Sequence, residues 1–420
     1  MDVLGLELAD LAVRAPGRGP MKAACIISTF TLMAITTKTA FALGAAQAAR
    51  VDALFKDFDH PNAPGASVMV IQNGKSVFAK GYGLADLVTK TPCTTNTNFR
   101  LASVTKQFTA MAVLMLADRG KLKLDERLTD FFPEFPASGK QITVSNLLTH
   151  TSGLLDYEDL IPAGTTIPVL DQDVLRLVMD DASDAPKLGV QNLAWTEDPA
   201  QNAARLKREL DRQSSAPSAA KNQKSYFPPG SQYRYSNTGY SLLALIVEAR
   251  SGQKFARFLK ENIFDPLKMN NTLAYERGFS LVPNRAFGHT LRSNAWQRTD
   301  QSLTSAVLGD GGIYSSLADL FKWDQALYKP KIVSERALRM AFTPHTPTDK
   351  AGRSYGFGWY LTEHRGLKVI YHSGETIGFR TRLFRIPEKH FAVIILANRA
   401  DAKLEDLANR VADIVLFNGN

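Results

Sequence analysis

FRLASVTKQFTAMAVLMLADRGKLKLDE, residues 99–126, repeats apolar side chains every three to four positions and so predicts a helix over Ser103 to Arg119. Upstream the period changes. GASVMVIQNGKSVFAKGYG, residues 65–83, sets two apolar runs around Asn73-Gly74, a pair whose tolerance of positive φ favours a tight hairpin. ARVDALFKDF, residues 49–58, reads as a helix just before it. Strand-like runs return at Tyr355 to Thr362, Leu367 to Tyr371, Gly378 to Phe384 and Phe391 to Leu396, followed by a final helix from Ala402 to about Leu416. Between the two groups, Thr143 to Leu148 opens another local element, and helices are expected at Gln172 to Met179, Tyr240 to Arg250 and Lys254 to Asn262. The expected fold class is α/β (α+β). A mixed antiparallel sheet comes from residues 49–99 and 345–420, flanked by N- and C-terminal helices, and a mainly helical domain, residues 100–344, is inserted into it. Residues 181–225, rich in Ala, Ser, Gln, Lys and Asp, read as a surface insertion that shapes access to the cleft, with one helix around Ala203 to Arg212.

The 420 residues are 45% hydrophobic, which is enough for a large core and rules out a small binding module. The net charge of +9 is spread along the chain without a basic block, so it gives no support for nucleic-acid binding. Lys22, the uncharged stretch Ala23 to Thr37, and the small-residue sites Ala40-Phe41-Ala42 and Ala46-Gln47-Ala48 follow the order of a secretory signal over residues 1–48, with Met21 a more economical start than Met1. The apolar stretch falls short of a membrane span. Cleavage near Ala48 removes four basic and three acidic residues, leaving +8, and leaves Cys93 as the only cysteine, so no internal disulfide is expected. A periplasmic or secreted product fits.

Ser103 and Lys106 lie one helical turn apart, close enough to share a proton. A serine hydroxyl needs a neighbouring base, and lysine serves only when burial or other cations lower its pKa. The spacing alone says little, because it recurs at Ser218 to Lys221 and Ser251 to Lys254. Taken singly, Ser103 is a helix cap and Lys106 a solvated charge. Two further groups agree with the chemical reading. Tyr235-Ser236-Asn237 offers a phenol and a carboxamide on a short connection before a helix near Gly239, and Tyr371-His372-Ser373-Gly374 closes a strand, with glycine allowing an acyl group to approach the backbone. No Gly-x-Ser-x-Gly elbow, Walker loop, dinucleotide fingerprint or metal-ligand spacing is evident, His150 and His372 lacking a third partner, so no cofactor or metal is expected.

In this order the three groups resemble the motifs of the serine beta-lactamase and penicillin-binding protein superfamily, in particular its class C beta-lactamase and DD-peptidase branch. LLTHTSGL at Leu147 to Leu154, FPPG at Phe227 to Gly230, GDGGIYSS at Gly309 to Ser316 and ILAN at Ile395 to Asn398 extend the resemblance over nearly all of the chain after residue 48. The resemblance implies that Ser103 is the nucleophile, that Lys106 and Tyr235 share the acid and base work, and that Asn237 orients the substrate amide. It further implies an oxyanion hole from the backbone N–H groups of Ser103 and Glu375, a substrate strand of His372, Ser373 and Gly374, and Asn398 at the far edge of the cleft. Gly311 and Gly312 would be backbone-approach or turn positions. His372 stands where beta-lactamases of this type carry lysine, a change associated with DD-peptidases and esterase-like members. A DD-carboxypeptidase-like hydrolase is therefore expected ahead of a beta-lactamase, a small-ester esterase or a non-hydrolytic penicillin-recognising or cell-wall-binding protein. Its partner would be a small-molecule or peptide acyl donor, peptidoglycan included.

Overall fold

A computed structural model describes residues 42–179 and 225–417. Residues 1–41 of the expected leader, most of the insertion at 181–225 and its helix at Ala203 to Arg212 lie outside the described residues, while the last four residues of the expected leader, 45–48, belong to the first helix.

An eight-stranded antiparallel sheet draws on two distant parts of the chain. Its strands are β1 (Ala66–Gln72), β2 (Lys75–Tyr82), β3 (Thr346–Pro347), β4 (Ser354–Tyr355), β5 (Tyr360–His364), β6 (Leu367–Thr376), β7 (Phe379–Ile386) and β8 (Phe391–Ala397), in the spatial order β3-β4-β5-β6-β7-β8-β1-β2. Asn73 and Gly74 both take positive φ, 51° and 72°, and close the β1–β2 hairpin. All seven residues of β8 are buried, as a central strand covered on both faces requires. Alternation then sorts the two faces. Val68, Val70, Val393 and Ile395 pack with Val51 of α1 (Ala45–Leu54), with Phe55 just after it, and with Val411 and Val415 of the C-terminal helix, Leu404–Leu416. Met69, Ile71, Ile394 and Leu396 face the other way, toward the core around α2 (Lys106–Asp118).

Helix α2 is buried from Lys106 through Leu116. Such a helix is packed on all sides, and it carries the Lys106 amine into the core with it. The expected helix start at Ser103 is corrected: Ala102–Thr105 forms a 3-10 turn before α2 begins. The run Tyr355 to Thr362 is also broken into two strands. Gly358 (φ 81°) lies so close to α2 that a Cβ there would come within 2.7 Å of the Lys106 carbonyl oxygen. The chain turns at that point because it must pass over the helix. Strand β6 runs on through the His372-Ser373-Gly374 triplet to Thr376, so the triplet does not close the strand.

Candidate active site

From Leu101 to Ala110 every residue is buried except Ser103, which is half-exposed. Ala102, just before it, holds the left-handed φ of 48° that a residue with a Cβ rarely adopts. Behind Ser103 the Lys106 Nζ lies 3.3 Å from its Oγ, 2.8 Å from Asn237 Oδ1 and 3.0 Å from the Asp310 carbonyl oxygen. The last two atoms can only accept, so they take two N–H bonds from the amine. A neutral amine has two hydrogens and one lone pair, and the lone pair is then left for the serine hydroxyl. Burial presses the Lys106 ammonium below its usual range, against the pull of Asp310, Asp156 and Glu158. Desolvation raises the Tyr235 phenol, with the Ser103 hydroxyl acting in the opposite direction. A neutral phenol that can give a proton thus stands beside an amine that can take one, with Lys106 Nζ 4.8 Å from the Tyr235 ring centre.

Asn237 is the first residue of α3 (Asn237–Ser251), two positions before the expected helix start, and the Ser236 hydroxyl caps that helix by accepting from Gly239 N. Strand β6 packs against the Ala102–Thr105 turn. Strand β5 begins only at Tyr360, opposite Tyr371, so among the described residues His372 to Thr376 have no strand beside them on that side. Glu375, next to the last residue of this free edge, keeps an exposed side chain 3.6 Å from Arg380. Ser373 Oγ accepts a 2.8 Å hydrogen bond from Arg382, whose guanidinium is almost wholly buried.

Three expectations are corrected. A Cβ at position 374 would overlap the Leu101 carbonyl oxygen, so Gly374 lets the serine-bearing segment approach the strand and does not make room for substrate. Asn398 is fully buried and does not line the cleft: its Oδ1 accepts from Gly65 N, and its Nδ2 donates to the carbonyl oxygens of Leu84, Ala85 and Phe287. His372, expected on the substrate strand, offers no donor to substrate. Its Nδ1 lies 2.7 Å from the Ser373 carbonyl oxygen, which must be accepting, so Nε2, 3.0 Å from the Tyr355 hydroxyl, accepts in turn.

Sequence reading passed over Asp310, inside the quoted GDGGIYSS run. Its carboxylate accepts from the Tyr157 hydroxyl at 3.1 Å, and burial raises its pKa against the opposing charge of Lys106. A second buried carboxylate, Asp171, accepts from the backbone N–H groups of Leu308 and Gly309 and so fixes the turn that delivers the Asp310 carbonyl to Lys106. Gly309 and Gly312 in this turn meet neighbouring atoms too closely for a Cβ, while Gly311 makes ordinary contact with Ala102. A local motif cannot reveal a bond between residues 204 positions apart.

Burial holds the His372 imidazole down at about 3, with the Lys106 charge adding to the effect. The unfolded chain therefore binds this proton first, at about pH 6.5. Stability is complete above that pH and is lost as pH falls toward 3, by up to about 1.4 kcal/mol per pH unit. Urea unfolding across mildly acidic pH is expected to show this slope, and His372→Gln, which can still accept from Tyr355, to reduce it, with the buried His150 keeping its own share. An unchanged slope would show that His372 carries its proton in the fold.

A model of the beta-lactamase family matches residues 51–416. The chain is 28% identical over 380 residues to penicillin-binding protein 4* of Bacillus subtilis, covering 87% of this chain and 75% of that protein. It is 28% identical over 399 residues to the mitochondrial serine beta-lactamase-like protein LACTB of Mus musculus, covering 80% and 72%. Among solved structures it matches the octameric penicillin-binding protein homologue from Pyrococcus abyssi with a TM-score of 0.64 at 25% identity, over 89% of this chain and 77% of the other. It shares the fold of the D-amino acid amidase from Ochrobactrum anthropi SV3, with a TM-score of 0.68 at 23% identity, over 90% of this chain and 100% of that one.

Proposed function

Because the chain belongs to the beta-lactamase family, whose members are serine hydrolases, we propose that it cleaves D-amino-acid peptides or related amides through an acyl-enzyme on Ser103, in the manner of a DD-carboxypeptidase. The observation that carries this reading is the half-exposed Ser103 hydroxyl in front of a buried amine whose hydrogens are directed at two carbonyl acceptors. Ser103 Oγ attacks the substrate carbonyl and its proton passes to Lys106. The oxyanion is held by the N–H groups of Ser103 and Glu375. As the carbon–nitrogen bond breaks, Tyr235 gives its proton to the leaving amine and is reprotonated from Lys106. Water then attacks the ester carbonyl, giving a proton to Lys106 and Tyr235, which pass it on to Ser103 Oγ as the ester bond breaks, so that the acid leaves and free enzyme is restored. Asn237 and the free edge of β6 orient the acyl group. The expected leader makes the periplasm the place of action.

A pocket of about 590 Å³ adjoining Tyr235 supports a sizeable, anionic leaving group. Tyr233, Tyr235 and Tyr360 form part of its wall, with Arg234, Lys350 and Arg353 beside the carboxylate of Asp349, and Arg353 also pairs with Glu405 at 3.3 Å. A proton donor faces the group it protonates, so this pocket lies on the leaving-group side. Its cations suit a terminal carboxylate better than ammonia or a small alcohol.

Turnover of an acyl-D-Ala-D-Ala peptide, its C-terminal amide, a penicillin and a p-nitrophenyl ester tests the reading. The free-carboxylate peptide should have the highest kcat/KM. Arg353→Gln should lower that value by about tenfold, the worth of one charge-assisted hydrogen bond, and leave the ester unchanged. Turnover of the ester alone, of penicillin alone, or persistent label without product would favour the esterase, the beta-lactamase or the non-hydrolytic binder instead.

A further inference from the structure

The helix Val144–Leu148 ends in a Schellman motif, with His150 N bonded to the Leu147 carbonyl and Thr151 N to the Asn146 carbonyl. His150 occupies the position of left-handed backbone, at φ 60°, where glycine carries no steric cost. A histidine there breaks a local rule, and its ring shows what is gained. His150 Nδ1 accepts the backbone N–H of Ser236 at 3.0 Å, and the His150 carbonyl oxygen accepts that of Arg234, also at 3.0 Å. The two peptide N–H groups on either side of Tyr235 are therefore both held by one residue. The ring centre lies 4.4 Å from that of Tyr235 and 4.4 Å from that of Tyr355.

We infer that His150 is a positioning residue that fixes Tyr235 in its place for proton delivery, acting through the Ser236 N–H bond to its ring. The inference rests on the assignment of Tyr235 as proton donor. Because a backbone N–H can only donate, Nδ1 must be unprotonated and Nε2 carries the hydrogen. Nε2 is buried without a hydrogen-bond partner among the described residues, and it is left among tyrosine rings. Burial and the charge of Lys106 both press the ring toward the neutral form that keeps Nδ1 an acceptor. No other residue type puts an acceptor at this point and fills the space between the rings. Asparagine comes nearest, since its Oδ1 takes the place of Nδ1 and it tolerates left-handed φ.

The test compares His150→Asn with His150→Gln, whose amide reaches the place of Nε2 and leaves that of Nδ1 empty. Amide hydrogen exchange at Ser236 should remain protected in wild type and His150→Asn and become at least tenfold faster in His150→Gln. With an amide substrate, kcat should fall by at least about thirtyfold in His150→Gln with KM within threefold, and stay within about threefold of wild type in His150→Asn. Equal exchange rates in the two variants, or equal losses of kcat, would overturn the inference. If wild type and Ser103→Ala turn over the amide alike, the proposed reaction fails, while the Ser236 exchange still decides whether His150 holds the turn.

Discussion

Lys106→Met is expected to lower kcat/KM for amide and ester substrates alike by about 10³- to 10⁴-fold, the upper part of the range for removing a general base. Methionine keeps much of the buried volume that the lysine stem fills, so the fold should survive. The loss follows from geometry: among the described residues Lys106 is the group that the structure places against Ser103 Oγ with its hydrogens engaged by Asn237 and the Asp310 carbonyl. The sign of the pH dependence follows as well. Burial lowers the pKa of the Lys106 ammonium, and the base form grows as pH rises through that lowered value, so the rate should climb at a pH below the usual lysine range. Asp310→Asn removes an opposing negative charge and should move that limb to still lower pH. Steady-state pH–rate profiles of wild type and Asp310→Asn measure both effects, and a limb that moves upward would contradict the electrostatics.

Tyr235→Phe carries the second large effect, a loss of about 10²- to 10³-fold in kcat that depends on the leaving group. An amine leaves only with a proton, whereas p-nitrophenolate leaves without one. The variant should therefore lose most of its activity on peptides and much less on the nitrophenyl ester. Desolvation raises the Tyr235 pKa and keeps the phenol protonated across neutral pH, which is the state a donor needs. Rates for matched amide and ester substrates give the ratio directly, and an equal loss on both would place Tyr235 in binding.

Much of the architecture was legible because it rests on local patterns. The Asn73-Gly74 hairpin and the periodic run of α2 are set by steric and hydrophobic rules that act within a few residues. The meeting of Ser103, Lys106, Tyr235 and Asn237 was readable only through motif resemblance, since the Lys106–Asn237 bond spans 131 positions. Where reading failed, tertiary packing used a residue differently from its type. Gly374 looked like room for substrate and serves the approach of Leu101. Asn398 looked like a cleft carboxamide and spends its donors and acceptor tying together the backbone of Gly65, Leu84, Ala85 and Phe287. His372 looked like a substitute for a cationic lysine, but both ring nitrogens are engaged inside the protein. Asp310 and Asp171 left no signal, because what they contribute is a backbone carbonyl and the turn that presents it.

The account stands on covalent chemistry at Ser103, and intact-mass spectrometry of the protein quenched during turnover tests it most directly. With a penicillin or an activated ester, the protein should gain the mass of one acyl group, mapped by digestion to the peptide that contains Ser103, and Ser103→Ala should gain none. An adduct on another residue, or hydrolysis of the substrate panel undiminished in Ser103→Ala, would contradict it.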